Sequence, residues 1–186
     1  MIIYVDIDDT LNELKTIFVQ KAYQLGLIKK VEPVTYSNIV KCFKGVPIKQ
    51  ATLYMNQIYN SVGFWSNLPI RADARRVLKW LHQTHDVYLV TSHWFYAGNN
   101  SVMEKIKWIN KNLPFINIHN QLIFILKKWL LTGDVIIDDS PEVIEKFKKT
   151  TIIMDALYNK NTKADYRAKN WLAIENIFKR GSFAIR

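Results

Sequence analysis

The chain has 186 residues, of which 49% are hydrophobic and 23% are charged, and these are ordinary values for a folded soluble protein. Its single cysteine, Cys42, excludes an internal disulfide, and no apolar run approaches the ~20 residues of a transmembrane helix. The formal net charge of +10 favours anionic ligands. Because the basic residues are scattered and form no recognised nucleic-acid-binding motif, a nucleic-acid partner is compatible with the charge but is not favoured.

The first ten residues predict a buried strand that ends in carboxylates. An apolar run of β-branched and aromatic residues at 2–5 is followed by Asp6, Asp8 and Asp9. Unpaired charges are too costly in a dry core, so these side chains need a cation or a solvated loop. Ligands of open α/β sheets bind beyond the carboxyl ends of the strands, where a carboxylate cluster suits Mg²⁺. A plain acidic turn is the alternative for this stretch alone. Since Asp6 interrupts the apolar run, we expect a strand rather than a signal peptide, and a cytoplasmic protein.

Residues 11–70 have mostly helical apolar spacing, and we expect a helical cap there. The segments 11–27 and 48–62 predict helices, with Leu53 and Met55 on the inner face of the second, and hydroxyl residues at 35–37 could begin a short helix between them. The remaining residues, 1–10 and 71–186, would form the core domain.

The rest of the chain alternates strands with helices, which predicts a parallel sheet covered on both faces. A helix capped by Asp73 precedes the strand 87–92, and an aromatic loop with Trp94, Phe95 and Tyr96 follows it. The later predicted elements, in chain order, are a helix at 101–110 with Met103 inward, strands at 122–125 and 135–138, a helix from Pro141, a strand at 151–154 and a closing helix at 165–178.

Three further stretches complete a set with the first strand. The hydroxyls of Thr91 and Ser92 end one strand, Lys127 and Lys128 follow another, and Asp138 begins a second acidic end with Asp139. This ordered set resembles the haloacid dehalogenase-like phosphatase superfamily, whose pattern is DxDx[TV], Thr or Ser, Lys and a DD-type end. With the insert size and Phe64-Trp65 followed by Leu68-Pro69, the chain is similar to the 5′(3′)-deoxyribonucleotidases. The resemblance covers about residues 1–150 and is weaker within the insert. It implies a Rossmann-like α/β core whose cap follows the first strand.

The acidic residues fit phosphoryl transfer from a monoester. Asp6, the first residue after the buried strand, is the best nucleophile, and the resemblance assigns it that role. Asp8 would protonate the leaving oxygen and then deprotonate water. Mg²⁺ would offset the repulsion between Asp6 and the phosphate, with Asp6, the backbone carbonyl of Asp8 and Asp138 as ligands. Asp139 would lie in the outer shell or pair with Lys128, and the sequence leaves open which of Asp138 and Asp139 is the direct ligand.

The remaining candidate site residues would contact the phosphate group or another part of the substrate. Thr91 and Ser92 would donate hydrogen bonds to phosphate oxygens, and Lys128, in preference to Lys127, would stabilise the transferring phosphoryl group. His93 stands where related nucleotidases often have Pro, and it is either a substrate contact or a bystander.

Aromatic residues are candidates for contact with the nucleobase. In the relatives, aromatics at the position of Phe64 and Trp65 help to hold the base, although packing between cap and core explains the pair equally well. Leu14 occupies a position where relatives have an aromatic, and Asp9 one where many have Gly.

We therefore expect an Mg²⁺-dependent phosphatase that acts on deoxyribonucleoside monophosphates. A phosphatase for another small phosphate or for a nucleic-acid 3′ end is an alternative with the same chemistry. A module that binds Mg²⁺ and a nucleotide without turnover is the alternative from another class. The oligomeric state does not follow from the sequence.

Overall fold

A computed structural model describes residues 1–93 and 100–181, so the predicted loop with Trp94, Phe95 and Tyr96 and the residues after 181 lie outside the described ranges. The strands form one sheet: β1 (Ile2–Asp6), β2 (Asp86–Thr91), β3 (Leu122–Phe124), β4 (Val135–Asp138), β5 (Thr150–Met154) and β6 (Tyr166–Ala168). The helices of the described ranges are α1 (Leu14–Gln24), α2 (Ile48–Tyr59), α3 (Ala74–Thr84), α4 (Asn100–Asn112), α5 (Ile118–Gln121), α6 (Pro141–Lys146) and α7 (Trp171–Lys179). Short 3₁₀ turns occupy Ile39–Cys42, Lys128–Leu130 and Leu157–Asn159.

The sheet confirms the predicted α/β class. Its strand order is β3-β2-β1-β4-β5-β6, and every neighbouring pair is parallel. Strand β1 lies between β2 and β4, with Asp6 opposite Val90 on one side and Val5 opposite Ile137 on the other. The carboxyl ends of β1, β2 and β4 therefore meet at one edge of the sheet.

Both faces of the sheet are covered. Along β1, Ile3 and Val5 belong to the larger hydrophobic cluster, which includes residues of α1, α2, α3, α4 and α7. Tyr4 points to the opposite face and packs in a smaller cluster with Val143 and Ile144 of α6. Burial on both faces explains why the central strands are continuous apolar runs rather than alternating ones.

The two ends of the 11–70 segment lie side by side. Asn12 and Ile70 form an isolated antiparallel bridge, and the backbone N–H of Arg71 donates to the carbonyl of Leu11 at 2.8 Å. Between these ends the segment contains α1, α2 and the 3₁₀ turn Ile39–Cys42, where the short helix was expected. Its buried apolar residues join the larger cluster of the sheet.

The prediction of one helix across 165–178 is wrong for its first part. Asp165 accepts hydrogen bonds from the backbone N–H and the hydroxyl of Thr151, at 2.9 Å and 3.1 Å, and these bonds hold the following residues beside β5 as strand β6. The helix then begins at Trp171, because the side chain of Asn170 caps it by accepting from the N–H of Ala173 at 2.9 Å.

Three predictions about single residues of helices are also wrong. Leu53 and Met103 are more than half exposed, and Ala51 and Trp108 occupy the buried faces of their helices instead. Asp73 stands at the N-cap of α3 but makes no capping hydrogen bond, because its backbone is left-handed (φ 62°). None of the described helices has the length and hydropathy that a membrane crossing needs.

Candidate active site

Two carboxylates from neighbouring strand ends share one lysine. Asp6 and Asp138 are the last residues of β1 and β4, and both are buried. The ammonium group of Lys128 donates to Asp6 and, at 2.8 Å, to Oδ2 of Asp138. The other oxygen of Asp138 accepts from the backbone N–H of Ser140 at 2.8 Å. Lys127 is exposed, so the structure brings Lys128 of the lysine pair to this edge.

Burial dominates the protonation of this group. It raises the pKa of Asp6 well above the ordinary value, and the nearby Lys128 offsets only part of that rise. It also raises the pKa of Asp138. Burial alone would lower the pKa of Lys128, but the two carboxylates raise it above its ordinary value, so the ammonium stays charged. A charged lysine between two buried carboxylates offsets part of the desolvation free energy that their burial costs.

A second buried lysine, Lys105 of α4, contacts the other predicted catalytic carboxylate. Its ammonium donates to Asp8, to the hydroxyl of Thr91 at 2.9 Å and to the carbonyl of Ser92 at 2.6 Å. The other oxygen of Asp8 accepts from the side chain of Asn12 at 3.2 Å. Both oxygens of Asp8 are thus oriented by donors.

Of the three consecutive candidates for contact with the substrate, residues 91–93, two line the cavity and one is buried beneath it. Ser92 and His93 line the cavity at this edge. Thr91 is fully buried beneath it, and its hydroxyl accepts from Lys105 and donates to the carbonyl of Ser92 at 3.2 Å. Lys105 itself is buried but lines the cavity, so of these two side chains it is the one that a bound phosphate could contact.

A third lysine, Lys15 of α1, holds the second acidic strand end. Its ammonium donates to Asp9 at 2.7 Å, to Oδ2 of Asp139 at 3.1 Å and to the hydroxyl of Tyr158 at 3.1 Å. Tyr158 donates to the same oxygen of Asp139. Although burial opposes it, Lys15 and the Tyr158 hydrogen bond lower the pKa of Asp139. Asp139 therefore pairs with Lys15. The alternative prediction that it pairs with Lys128 is wrong, because Lys128 pairs with Asp6 and Asp138.

The donor set fits a hard divalent cation. Asp6, Asp138 and Asp139 each offer an oxygen, and these atoms lie within 4.8 Å of one another. The ion pairs described above join five carboxylates to three ammonium groups, so two negative charges remain uncompensated when every group is ionised. The carboxylates are Asp6, Asp8, Asp9, Asp138 and Asp139, and the ammonium groups are those of Lys15, Lys105 and Lys128. One Mg²⁺ ion would balance that charge with the oxygen ligands it prefers.

The carboxylates form the floor of a cavity of about 380 Å³. Its walls include apolar and aromatic side chains from the 11–70 segment, namely Leu14, Ile39, Met55, Tyr59 and Trp65. Phe64 does not line it, because its ring lies behind Trp65, 5.4 Å away between centroids, and packs on Tyr59 and Phe18. Of the two predicted aromatics, Trp65 is therefore the one next to the cavity.

Helix α4 holds the backbone around Trp65 in place. The carboxylate of Glu104 accepts from the N–H of Gly63 at 2.6 Å and from the N–H of Trp65 at 3.0 Å. The indole N–H of Trp65 donates to the carbonyl of Tyr59 at 2.9 Å, and the ammonium of Lys105 lies 4.8 Å from the centre of its ring. Adjacent residues of one helix, Glu104 and Lys105, thus contact the aromatic wall and the Asp8 carboxylate.

Sequence reasoning missed Lys105, Lys15 and Tyr158. Lys105 had one usable signal, because it follows Ser101 by four positions and precedes Trp108 by three, and all three lie on the buried face of α4. A lysine on such a face needs a buried partner. Lys15 and Tyr158 carry no comparable local signal, since the residue that both contact, Asp139, lies 124 positions from Lys15 and 19 from Tyr158.

Comparisons with known proteins agree with this geometry. Residues 1–182 match the family described as 5′ nucleotidase, deoxy (pyrimidine), cytosolic type C protein. A 5′(3′)-deoxyribonucleotidase from Clostridium acetobutylicum is 30% identical over 90% of this chain and 88% of that protein. A Staphylococcus epidermidis protein named as a candidate 5′(3′)-deoxyribonucleotidase is 28% identical over 65% of this chain and 66% of its own length. A solved haloacid dehalogenase-like hydrolase from Streptococcus pneumoniae shares the fold, with a TM-score of 0.58, 14% identity and coverage of 95% of this chain and 97% of its own.

Proposed function

Because this chain belongs to the family of cytosolic type C 5′-nucleotidases and is a phosphoric monoester hydrolase, we propose that it hydrolyses deoxyribonucleoside monophosphates to a deoxynucleoside and phosphate. The observation that carries the proposal is the meeting of Asp6, Asp8 and Lys128 beneath a cavity with an aromatic wall. We extend the proposal to a cytoplasmic location, since no step needs a disulfide and the chain has a single cysteine.

In the first step Asp6 attacks phosphorus and the bond to the nucleoside oxygen breaks. Asp8 gives its proton to that leaving oxygen, and the phosphoryl group becomes an aspartyl-phosphate on Asp6. Lys128 already contacts Asp6, and it would stabilise charge on the transferring group. Lys105 and the backbone at Ser92 would bind the phosphate oxygens from the side of β2.

In the second step Asp8 accepts a proton from water, and the resulting hydroxide attacks the phosphorus of the aspartyl-phosphate. This releases inorganic phosphate and restores Asp6. The contacts of Asp8 with Lys105 and Asn12 orient its carboxylate for both proton transfers. The same side chain can serve as acid and then as base because each step leaves it in the form that the next step needs.

Asp6, Asp139 and the backbone carbonyl of Asp8 are the ligands that we propose for Mg²⁺. Both oxygens of Asp138 already accept hydrogen bonds, from Lys128 and from the N–H of Ser140. In the described part of the chain the side-chain contacts of Asp139 fall on Oδ2 alone, which leaves Oδ1 for a cation. The ion would reduce the repulsion between Asp6 and the phosphate dianion. Asp138 then has the role of holding Lys128.

The 11–70 segment would act as a small helical cap on the core formed by 1–10 and 71–186. Its ends close on each other at Asn12 and Ile70, which supports these boundaries. Trp65 would stack on the nucleobase while the carboxylates hold the phosphate. A cavity of about 380 Å³ suits a small phosphate better than a duplex, so a nucleotide is favoured over a nucleic-acid end.

A substrate panel tests the proposal. Deoxynucleoside monophosphates, a 3′-phosphorylated oligonucleotide and a sugar phosphate would each be incubated with Mg²⁺ and with EDTA, with D6N as the inactive control. We expect Mg²⁺-dependent phosphate release that is fastest with deoxynucleotides. Faster release from the oligonucleotide or the sugar phosphate would move the substrate assignment to that class, and release in EDTA would contradict the metal requirement.

A further inference from the structure

Asp9 adopts a backbone conformation that is uncommon outside glycine. Its φ of 61° lies in the left-handed region, where residues other than glycine are uncommon and Asp and Asn are the usual exceptions. Both oxygens of its side chain contact one residue, because Oδ1 accepts from the backbone N–H of Lys15 at 2.8 Å and Oδ2 from the ammonium at 2.7 Å. Asp9 therefore fixes both the start of α1 and the direction of the Lys15 side chain.

The Lys15 ammonium reaches from α1 to the core. It contacts Asp139 and Tyr158, which follow Lys15 by 124 and 143 positions. Tyr158 donates to the same Asp139 oxygen, and Asn159 donates to the Asp139 carbonyl at 2.9 Å. The Asp139 residue is thus held at its backbone and at one carboxylate oxygen by contacts that need no metal.

We propose that Lys15, supported by Asp9 and Tyr158, is a positioning residue that holds Oδ2 of Asp139 so that Oδ1 is presented to the divalent cation. This inference rests on the proposed function. Because Lys15 belongs to the cap and Asp139 to the core, the same contact attaches the cap to the metal centre. Metal affinity and attachment of the cap then depend on one ammonium group.

Removal of the Lys15 ammonium has two opposite effects on cation affinity. Loss of a positive charge beside the site strengthens the attraction of a cation, whereas loss of the hydrogen bond frees the ligand to rotate. Outer contacts that orient a metal ligand are typically worth about 10–100-fold in affinity. A positioning role therefore predicts weaker binding, and a role as a mere counter-charge predicts tighter binding, so the direction of the change decides between them.

The experiment is calorimetric titration of the full-length protein with Mg²⁺. The variants are K15M, Y158F and, as the matched control on the same helix, K21M. We expect the dissociation constant for Mg²⁺ to rise about 10–100-fold in K15M, to rise less in Y158F and to be unchanged in K21M. Circular dichroism establishes that each variant is folded, and Y158F, which loses only a hydroxyl, replaces K15M if the latter does not fold.

Equal or tighter Mg²⁺ binding by the folded K15M variant would overturn the inference while leaving the proposed function intact. An unchanged affinity in Y158F would do the same if K15M does not fold. The wild-type protein reports on the proposed function separately, through its own Mg²⁺ titration and its release of phosphate from a deoxynucleotide. If the wild type binds no Mg²⁺, the metal site itself is wrong and the role of Lys15 falls with it.

Discussion

Lys105 donates a hydrogen bond to the carboxylate of Asp8, although 97 positions separate the two residues in the chain. The lysine belongs to α4, and its next neighbour, Glu104, holds the backbone around Trp65. One turn of helix therefore places the Asp8 carboxylate and the aromatic wall of the cavity relative to each other. Under the proposed function, α4 would therefore orient catalytic groups as well as cover the sheet.

The first prediction concerns Lys105. K105M should remain folded and lower kcat/KM for a deoxynucleotide by roughly 10²–10⁴-fold, the range of a lost acid–base contribution, because Asp8 loses its orienting donor. Steady-state kinetics with a deoxynucleoside monophosphate measures the change. K107M, on the exposed face of the same helix, is the control and should keep its activity. Similar kinetics for both variants would show that Lys105 only fills space.

The second prediction concerns the nucleophile. D6N should keep the fold, because an amide is cheaper to bury than the carboxylate whose pKa is raised by burial. Turnover should fall by orders of magnitude, since an amide neither attacks phosphorus nor binds Mg²⁺ well. The measurement is phosphate release by folded protein. Retention of more than roughly a tenth of the wild-type rate would remove Asp6 from the nucleophile role.

The third prediction concerns proton donation by Asp8 to the leaving group in the first step. D8N should slow the release of poor alkyl leaving groups more than that of aryl leaving groups, which depart with less need of a proton. A comparison of kcat/KM for a deoxynucleoside monophosphate and for p-nitrophenyl phosphate measures this difference. An equal loss for the two substrates would argue against proton donation by Asp8.

The fourth prediction concerns base recognition by Trp65. Stacking of an aromatic residue on a base is worth about 1–3 kcal/mol, so W65A should lower kcat/KM for a deoxynucleotide by roughly one to two decades. Hydrolysis of p-nitrophenyl phosphate, which has no base, should change little. F64L is the matched control, because Phe64 packs behind Trp65 without lining the cavity. If W65A impairs both substrates alike in a folded protein, Trp65 is a packing residue.

The fifth prediction concerns acid stability away from the site. Hydrogen bonds from Arg76 of α3 and from Lys179 lower the pKa of Glu175 to about 2, against an ordinary value of 4.5. A carboxyl whose pKa is lower in the folded state contributes stability above its unfolded pKa, and that contribution is lost as the pH falls towards the folded pKa. The difference in melting temperature between wild type and E175Q should therefore shrink between pH 5 and pH 2.5. E145Q, at an exposed position, should show no such convergence.

The strand ends were predictable because the sequence around them is locally distinctive. Buried parallel strands are short apolar runs, and Asp6, Thr91 and Asp138 stand where such runs stop. The edge at which they meet follows from the handedness of the crossovers. Strand β6 was not predictable in the same way, because its three residues, Tyr166–Ala168, are too few to show an alternation of apolar and polar side chains.

Much of the site could not be predicted, because its contacts join residues far apart in the chain. The sequence indicated an aromatic contact at Phe64 or Trp65, but only the packing of the 11–70 segment decides which ring lines the cavity. Lys15 and Lys105 lie within helices, where lysine is normally an exposed helix-forming residue. Lys15 is partly buried and Lys105 is fully buried, next to Asp139 and Asp8 respectively, and only the tertiary fold brings these carboxylates close.

The central place of β1 in the sheet also determines when the site can exist during synthesis. Asp6 leaves the ribosome more than a hundred residues ahead of its partners Lys128 and Asp138. At roughly 5–20 residues per second, the nascent chain carries an unpaired apolar strand for on the order of ten seconds. Charged residues beside such a strand discourage its association with other chains. We therefore expect that Asp6, Asp8 and Asp9 protect the nascent chain from aggregation before they take part in any reaction. We also expect that chains arrested before Val135, which lack strand β4 beside β1, remain protease-sensitive.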